Sequence, residues 1–376
     1  MKKAVSVLLA FLFLLIFSPV AFADDEKDFN EILDKVNEHI SSSIDKDAID
    51  ILEEEDISLK DPKSVNNIKA ENVFQKLISW FTEALKKPVV MLGKIIAVSL
   101  ICIIMKSMSP DKGSVVRAYS LLGVLSTIVL MTDTISESFM TLKNSMENIN
   151  NFMISYVPIF SSIVSAGGNI STGASYTAIM LLLCEGMAVV ASKILIPFLS
   201  IVLAVTLVSA INPNLQFSGI ADSVKKCTVW TLSAVMSIFV GLMSIQGLTG
   251  GAVDGASAKV IKFAASSFIP VIGNSVSEAY SAVRGSLGVI RNGVGSIGII
   301  IVFIMAAKPL LTIIAIKFMM WTGKLINDIF GQKEISEFLK SANSVMSIGL
   351  SIMVAYAIVF IIATAMVMTT AMNVGI

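Results

Sequence analysis

The sequence predicts an all-α fold, a polytopic transmembrane helical bundle with broken or re-entrant helices and an internal tandem repeat. Three observations carry this expectation. The 376-residue chain is 55% hydrophobic and 15% charged, with a mean hydropathy of +0.82, more apolar surface than a water-soluble core can hide. Its apolar residues fall in long charge-poor runs such as SLICIIM, YTAIMLLLC, ILIPFLSIVLAVTLVSAI and YAIVFIIATAMVM, several of them long enough to cross hydrocarbon as helices. Proline-marked words also recur at a fixed offset in the second half of the chain.

Residues 1–23 have the three zones of a secretory signal peptide: Lys2 and Lys3, an apolar run from Ala4 to Phe17, then Pro19 and the small-x-small Ala21-Phe22-Ala23. Cleavage is expected after Ala23, with a retained anchor as the alternative; in both cases the next segment lies outside the cytoplasm. Residues 24–71 form an acidic extracytoplasmic arm with 16 Asp/Glu against 6 Lys/Arg. Since the whole chain holds 28 of each, a basic membrane body follows. The arm reads first as a solvated surface and second as a docking segment for a basic partner. Within it, Phe29, Ile32, Leu33, Val36 and Ile40 share one helical face. The Asp-, Glu-, Ser- and Lys-rich stretch after them reads as linker. Residues 72–87 form an amphipathic interfacial helix, in which Phe74, Leu77, Ile78, Phe81 and Leu85 repeat the spacing beside Trp80, Lys86 and Lys87.

Residues 88–151 hold the first membrane hairpin and an outer amphipathic segment. One run spans Pro88 to about Met108 and a second Val115 to about Met131, joined by SPDKGS. With the arm outside, Lys106, Lys112 and Arg117 fall on the cytoplasmic side, in line with the positive-inside tendency. Further runs lie near 152–166, 176–192, 194–211, 228–248, 264–282, 286–305, 306–321 and 344–370, some too short or too glycine-rich to span, and bring the expected crossings to about eight.

Residues 152–248 and 264–376, separated by a linker at 249–263, form the two membrane repeats. Pro158 in SYVPIF matches Pro270 in SFIPVI at an offset of 112, and Pro197 in LIPFL matches Pro309 in AKPLL at the same offset. SAVMSI at 233–238 matches NSVMSI at 343–348. A shorter copy starting at Lys87 is a third candidate. Such repeats are common in polytopic transport proteins.

An ionisable group inside an apolar run costs about 2.5–3.5 kcal/mol on insertion scales, so it needs a partner, water or a route to the surface. Glu185 in MLLLCEGMAVV is the sharpest case, with Lys308 or Lys94 as a candidate partner. Lysines can also snorkel, which is the plainer reading of Lys94, Lys193 and Lys308. Pro158, Pro197, Pro270 and Pro309 remove backbone donors and are expected to break or kink their helices. Glycines 285, 288, 293, 295 and 298 read as packing positions. Cys102, Cys184 and Cys227 make no CxxC or zinc spacing, and His39 is the single histidine. No phosphate loop, nucleophile elbow or paired carboxylates accompany them. An enzyme is therefore the least supported class, and no cofactor, metal or nucleic-acid partner is expected; the surrounding partner is membrane lipid.

The order of features, a signal peptide, an acidic arm and a proline-punctuated membrane body carrying SYVPIF, SFIPVIGNSVSEAY and GSLGVIRNGVG, resembles the stage III sporulation protein AE family of endospore-forming bacteria. The resemblance implies a multi-pass protein of the mother-cell membrane around the forespore, with its arm in the intermembrane space. It further implies a channel or secretion-like apparatus whose partners are the other stage III A proteins and the forespore protein stage II sporulation protein Q. It supplies no catalytic residue. A stand-alone secondary transporter or permease is the alternative that the repeat, the prolines and Glu185 leave open.

Overall fold

The computed structural model describes residues 44–57, 64–65, 69–109, 113–189, 218–268 and 273–372, with a few single positions between 200 and 208. The signal peptide, the helical face from Phe29 to Ile40, Lys193, Pro197 and Pro270 lie outside the described residues. Among the described residues 95% are helical and none is in a strand. The helices are α1 (Lys46–Glu54), α2 (Ala70–Met108), α3 (Ser114–Ala166), α4 (Ile170–Val189), α5 (Ser218–Phe268), α6 (Gly273–Ile329) and α7 (Lys333–Met372).

Five of these helices are long and apolar enough to cross a membrane: Glu71–Met108, Ser114–Ala166, Lys226–Val260, Arg284–Ile329 and Lys333–Thr369. The sequence suggested about eight crossings; it divided some runs that the structure joins, and its run at 194–211 lies outside the described residues. Runs 115–131 and 152–166 both lie on α3, and runs 286–305 and 306–321 both lie on α6. The polar stretch of α3 between its two runs contains no Gly or Pro. Its Ile135, Phe139, Leu142, Met146 and Ile149 are buried, while Asp133, Glu137, Asn144 and Glu147 are exposed. The charges mark one face of a continuing amphipathic helix and not its end.

Prolines behave the same way. Pro88, Pro158 and Pro309 all stand inside continuous helices, so neither Pro158 nor Pro309 breaks its chain. Each costs one backbone hydrogen bond, a loss that packing against neighbouring helices can outweigh. Residues 72–87 are likewise the first half of α2, running unbroken into the apolar second half. The expected linker is also partly folded: α1 buries Ala48 and Ile51 and packs on α6, while Glu54 pairs with Lys76 at 2.7 Å.

The bundle is ordered by contacts at both ends. Lys106 Nζ donates to Gln332 at 2.6 Å, which brings the α2–α3 and α6–α7 turns to the same end. The latter turn relies on Gly331 at φ +70, a conformation open mainly to glycine. α2 and α6 run parallel, α3 and α7 run the other way, and α6 against α7 is the most extensive pairing. Further along, Tyr356 Oη donates to Asn150 Oδ1 at 2.8 Å, and the Phe152, Tyr156 and Phe160 rings stack with Phe360 edge-on against them, at centroid distances of 5.3–6.3 Å. This aromatic box is part of a buried apolar core shared by the packed helices.

The repeated words of the sequence all fall on helices where they are described. SAVMSI lies on α5 and NSVMSI on α7. The turn at Gly167–Asn169 has no counterpart 112 residues on, where α6 is continuous.

Candidate functional site

Among the described residues Glu185 does not meet a lysine inside the bundle. α4 packs through Gly173, Tyr176, Met180 and Cys184, a stripe spaced by three and four residues. Glu185, about 100° further around the helix, is exposed together with Leu181 and Leu182. Lys94 and Lys308 are exposed as well, and the ion pairs among the described residues do not include Glu185. Pro158 is exposed and Pro309 buried.

The polar groups that the fold does bring together form a track along α6. Lys317 is half-buried within the apolar span of that helix. Its ammonium donates to Ser347 Oγ and to the Asn343 carbonyl on α7. Ser347 and Ser351 each donate to the carbonyl four residues earlier, and the buried Asn343 Oδ1 has no hydrogen-bond partner. Toward the turns, the fully buried Asn327 accepts from Ser99 Oγ on α2 at 2.6 Å and donates to the Gly323 carbonyl at 2.8 Å. Beyond it stand Lys106 with Gln332, and Asp328 with Lys324 and Ser336. From Lys317 to Asp328 the track covers about 17 Å at 1.5 Å per residue. It contains hydroxyl, amide and ammonium groups, which can hold helices in register or pass water and small ions along an otherwise apolar interface.

A second polar cluster fastens the opposite end. Asp254 on α5 is 4% exposed and accepts from the Ser171 and Thr172 backbone N–H groups and the Thr172 hydroxyl, at 2.7–3.0 Å. It therefore caps the N-terminus of α4 in trans, where a negative charge is favoured by the helix dipole. Arg284 on α6 donates to the Gly167 carbonyl and Asn169 Oδ1, both at 3.2 Å. The α3–α4 turn is thus held by charges of opposite sign from two other helices. Among the described residues no group of three His, Cys, Asp or Glu side chains is placed to hold a metal ion.

Sequence reasoning missed Lys317, Asn327, Asp254 and Arg284. For Lys317 a signal was available, since it interrupts LLTIIAIKFMM as Glu185 interrupts its own run, and the facing helix offers Asn343, Ser347 and Ser351 at intervals of four. Asp254 and Arg284 stand among glycines and serines, where a charge raises no alarm. Of the packing glycines, Gly295 and Gly298 are pressed against Met368, Phe160 and Tyr156, whereas Gly285 and Gly288 meet nothing within 4 Å.

Comparison with known proteins gives two matches. A family model described as stage III sporulation protein AE matches residues 58–371. Stage III sporulation protein AE of Bacillus subtilis (strain 168) is 21% identical over 231 residues, covering 61% of this chain and 58% of that protein's length. No solved structure matches.

Proposed function

The chain belongs to the stage III sporulation protein AE family, and from that premise we propose that it is a non-enzymatic integral membrane subunit of a mother cell to forespore channel or secretion-like complex required for endospore development. The observation that carries the reading is the extent of the family match, which runs from residue 58 to 371 and takes in all five membrane-length helices. In this reading the protein resides in the mother-cell membrane around the forespore. Its acidic arm, including α1, faces the intermembrane space, and the other stage III A proteins and stage II sporulation protein Q are its partners. The basic residues Lys106, Arg117, Lys324 and Lys333 flank the two short turns, which suits a cytoplasmic placement of that end.

Lys317 favours a second reading, a stand-alone secondary transporter, because an ammonium inside a helix pair is a natural element of an ion or substrate path. Reconstitution separates the two. A subunit is silent alone in liposomes and co-purifies with sister proteins from sporulating cells. A transporter moves solute unaided and loses that activity in Lys317→Met. Unaided transport by the purified chain would overturn the subunit reading.

A further inference from the structure

Where α2 passes from its amphipathic half to its apolar half, a groove of about 310 Å³ opens between α2, α3 and α6. Its charges balance: Glu83, Glu137, Lys86 and Lys87 all line it, and Lys87 pairs with Glu137 at 2.7 Å while both remain largely exposed. Most of its other polar groups are acceptors, Thr134 adding one further hydroxyl. The hydroxyl protons of Ser138, Thr141 and Thr312 are committed to carbonyls one turn earlier in their own helices, so their oxygens turn lone pairs outward. Pro88 has no N–H, which deprives the Ala84 carbonyl of its helical donor, and both residues line the groove. Beside it Val89, Val90 and Val129 expose apolar side chains, a surface suited to acyl chains.

A pocket of net zero charge, rich in acceptors on one side and carrying two lysines, at an aqueous-to-apolar boundary, calls for a ligand with a hydrogen-donating cation and an anion a few bonds apart. We propose that this groove is a binding site for the head group of a primary-amine phospholipid such as phosphatidylethanolamine. The ammonium is taken by Glu83, Glu137 and the Ala84 carbonyl, and the phosphate by Lys86 and Lys87. A quaternary ammonium cannot donate hydrogen bonds, and a glycerol head group carries no positive charge. The site therefore discriminates by head group and not by surface charge alone.

The test is native mass spectrometry of the full-length, delipidated protein titrated with phosphatidylethanolamine, phosphatidylcholine or phosphatidylglycerol of identical chains. The expected result is retention of phosphatidylethanolamine about tenfold above phosphatidylcholine, the scale of one charge-assisted hydrogen bond. That preference is lost in Glu83→Gln/Glu137→Gln and kept in Glu147→Gln, which lies on α3 outside the groove; unchanged helicity and elution verify that the variants fold. Equal retention of all three lipids, stronger retention of phosphatidylglycerol, or a preference that survives the double substitution would overturn the proposal. Displacement of the lipid by an equal concentration of soluble glycerophosphoethanolamine would overturn the lipid as the source of the head group.

Discussion

Substituting alanine for Gly298 tests the aromatic core where it is tightest. A Cβ added at Gly298 would lie within 2.5 Å of the Tyr156 hydroxyl oxygen and nearer still to the ring. Tyr156 has no free direction in which to yield, being fully buried and stacked between Phe152 and Phe160 at 5.3 and 5.6 Å, with Phe360 edge-on at 5.7 Å. Its hydroxyl donates to the Val294 carbonyl at 3.0 Å. Overpacking of a filled core costs about 1–3 kcal/mol, and a displaced hydroxyl forfeits about 1 kcal/mol more. Alanine returns up to about 1 kcal/mol of helix propensity, leaving a net loss of about 1–3 kcal/mol. The control is Gly285→Ala on the same helix, where an added Cβ meets nothing within 4 Å and the propensity gain stands alone, so stability is unchanged or rises. Thermal unfolding of both variants in one detergent, followed by intrinsic fluorescence, reads the difference. Equal midpoints, or a more stable Gly298→Ala, would refute the packing of α3 against α6 described above.

Asp254→Ala removes three hydrogen bonds to a charged acceptor and is expected to cost about 2–4 kcal/mol, while Thr172→Ala removes one of them and costs about 1 kcal/mol; the same thermal assay ranks them. Lys317→Met is expected to insert and fold with little loss of stability, because it removes a charge from an apolar interface. Under the proposed function it lowers the yield of heat-resistant spores, and the readout is spore counts beside membrane levels of the variant. Cys227 is exposed whereas Cys102 and Cys184 are buried, so maleimide in mild detergent modifies one site in the native protein and three after denaturation, as counted by mass.

The class of fold was legible because apolar runs without charge have few alternatives to membrane helices. Helix ends were not. Pro158 and Pro309, expected to break or kink their helices, lie within α3 and α6 without ending them, and the charged middle of α3, read as an outer segment, turns its Glu137 and Glu147 away from a continuous buried stripe. Amphipathic periodicity within 132–151 was the clue, since Ile135, Phe139, Leu142 and Met146 keep helical spacing across the polar stretch. Intramembrane charge was the right criterion for a site, but Glu185 and Lys317 pass it equally from sequence. Only the packing of α4 through Tyr176 and Cys184, and of α6 against Ser347, shows that the first faces outward and the second faces a neighbouring helix. Partners more than eighty residues apart, such as Asp254 with Thr172 or Ser99 with Asn327, leave no local trace in a single sequence.

The central claim, membership in a complex that sustains the engulfed forespore, is met most directly by deleting the gene in its own host and scoring forespore development after engulfment, with the wild-type copy restored in parallel. The account predicts that engulfment completes, that development then arrests, and that the restored copy rescues it. Normal, heat-resistant spores from the deletion strain would contradict it.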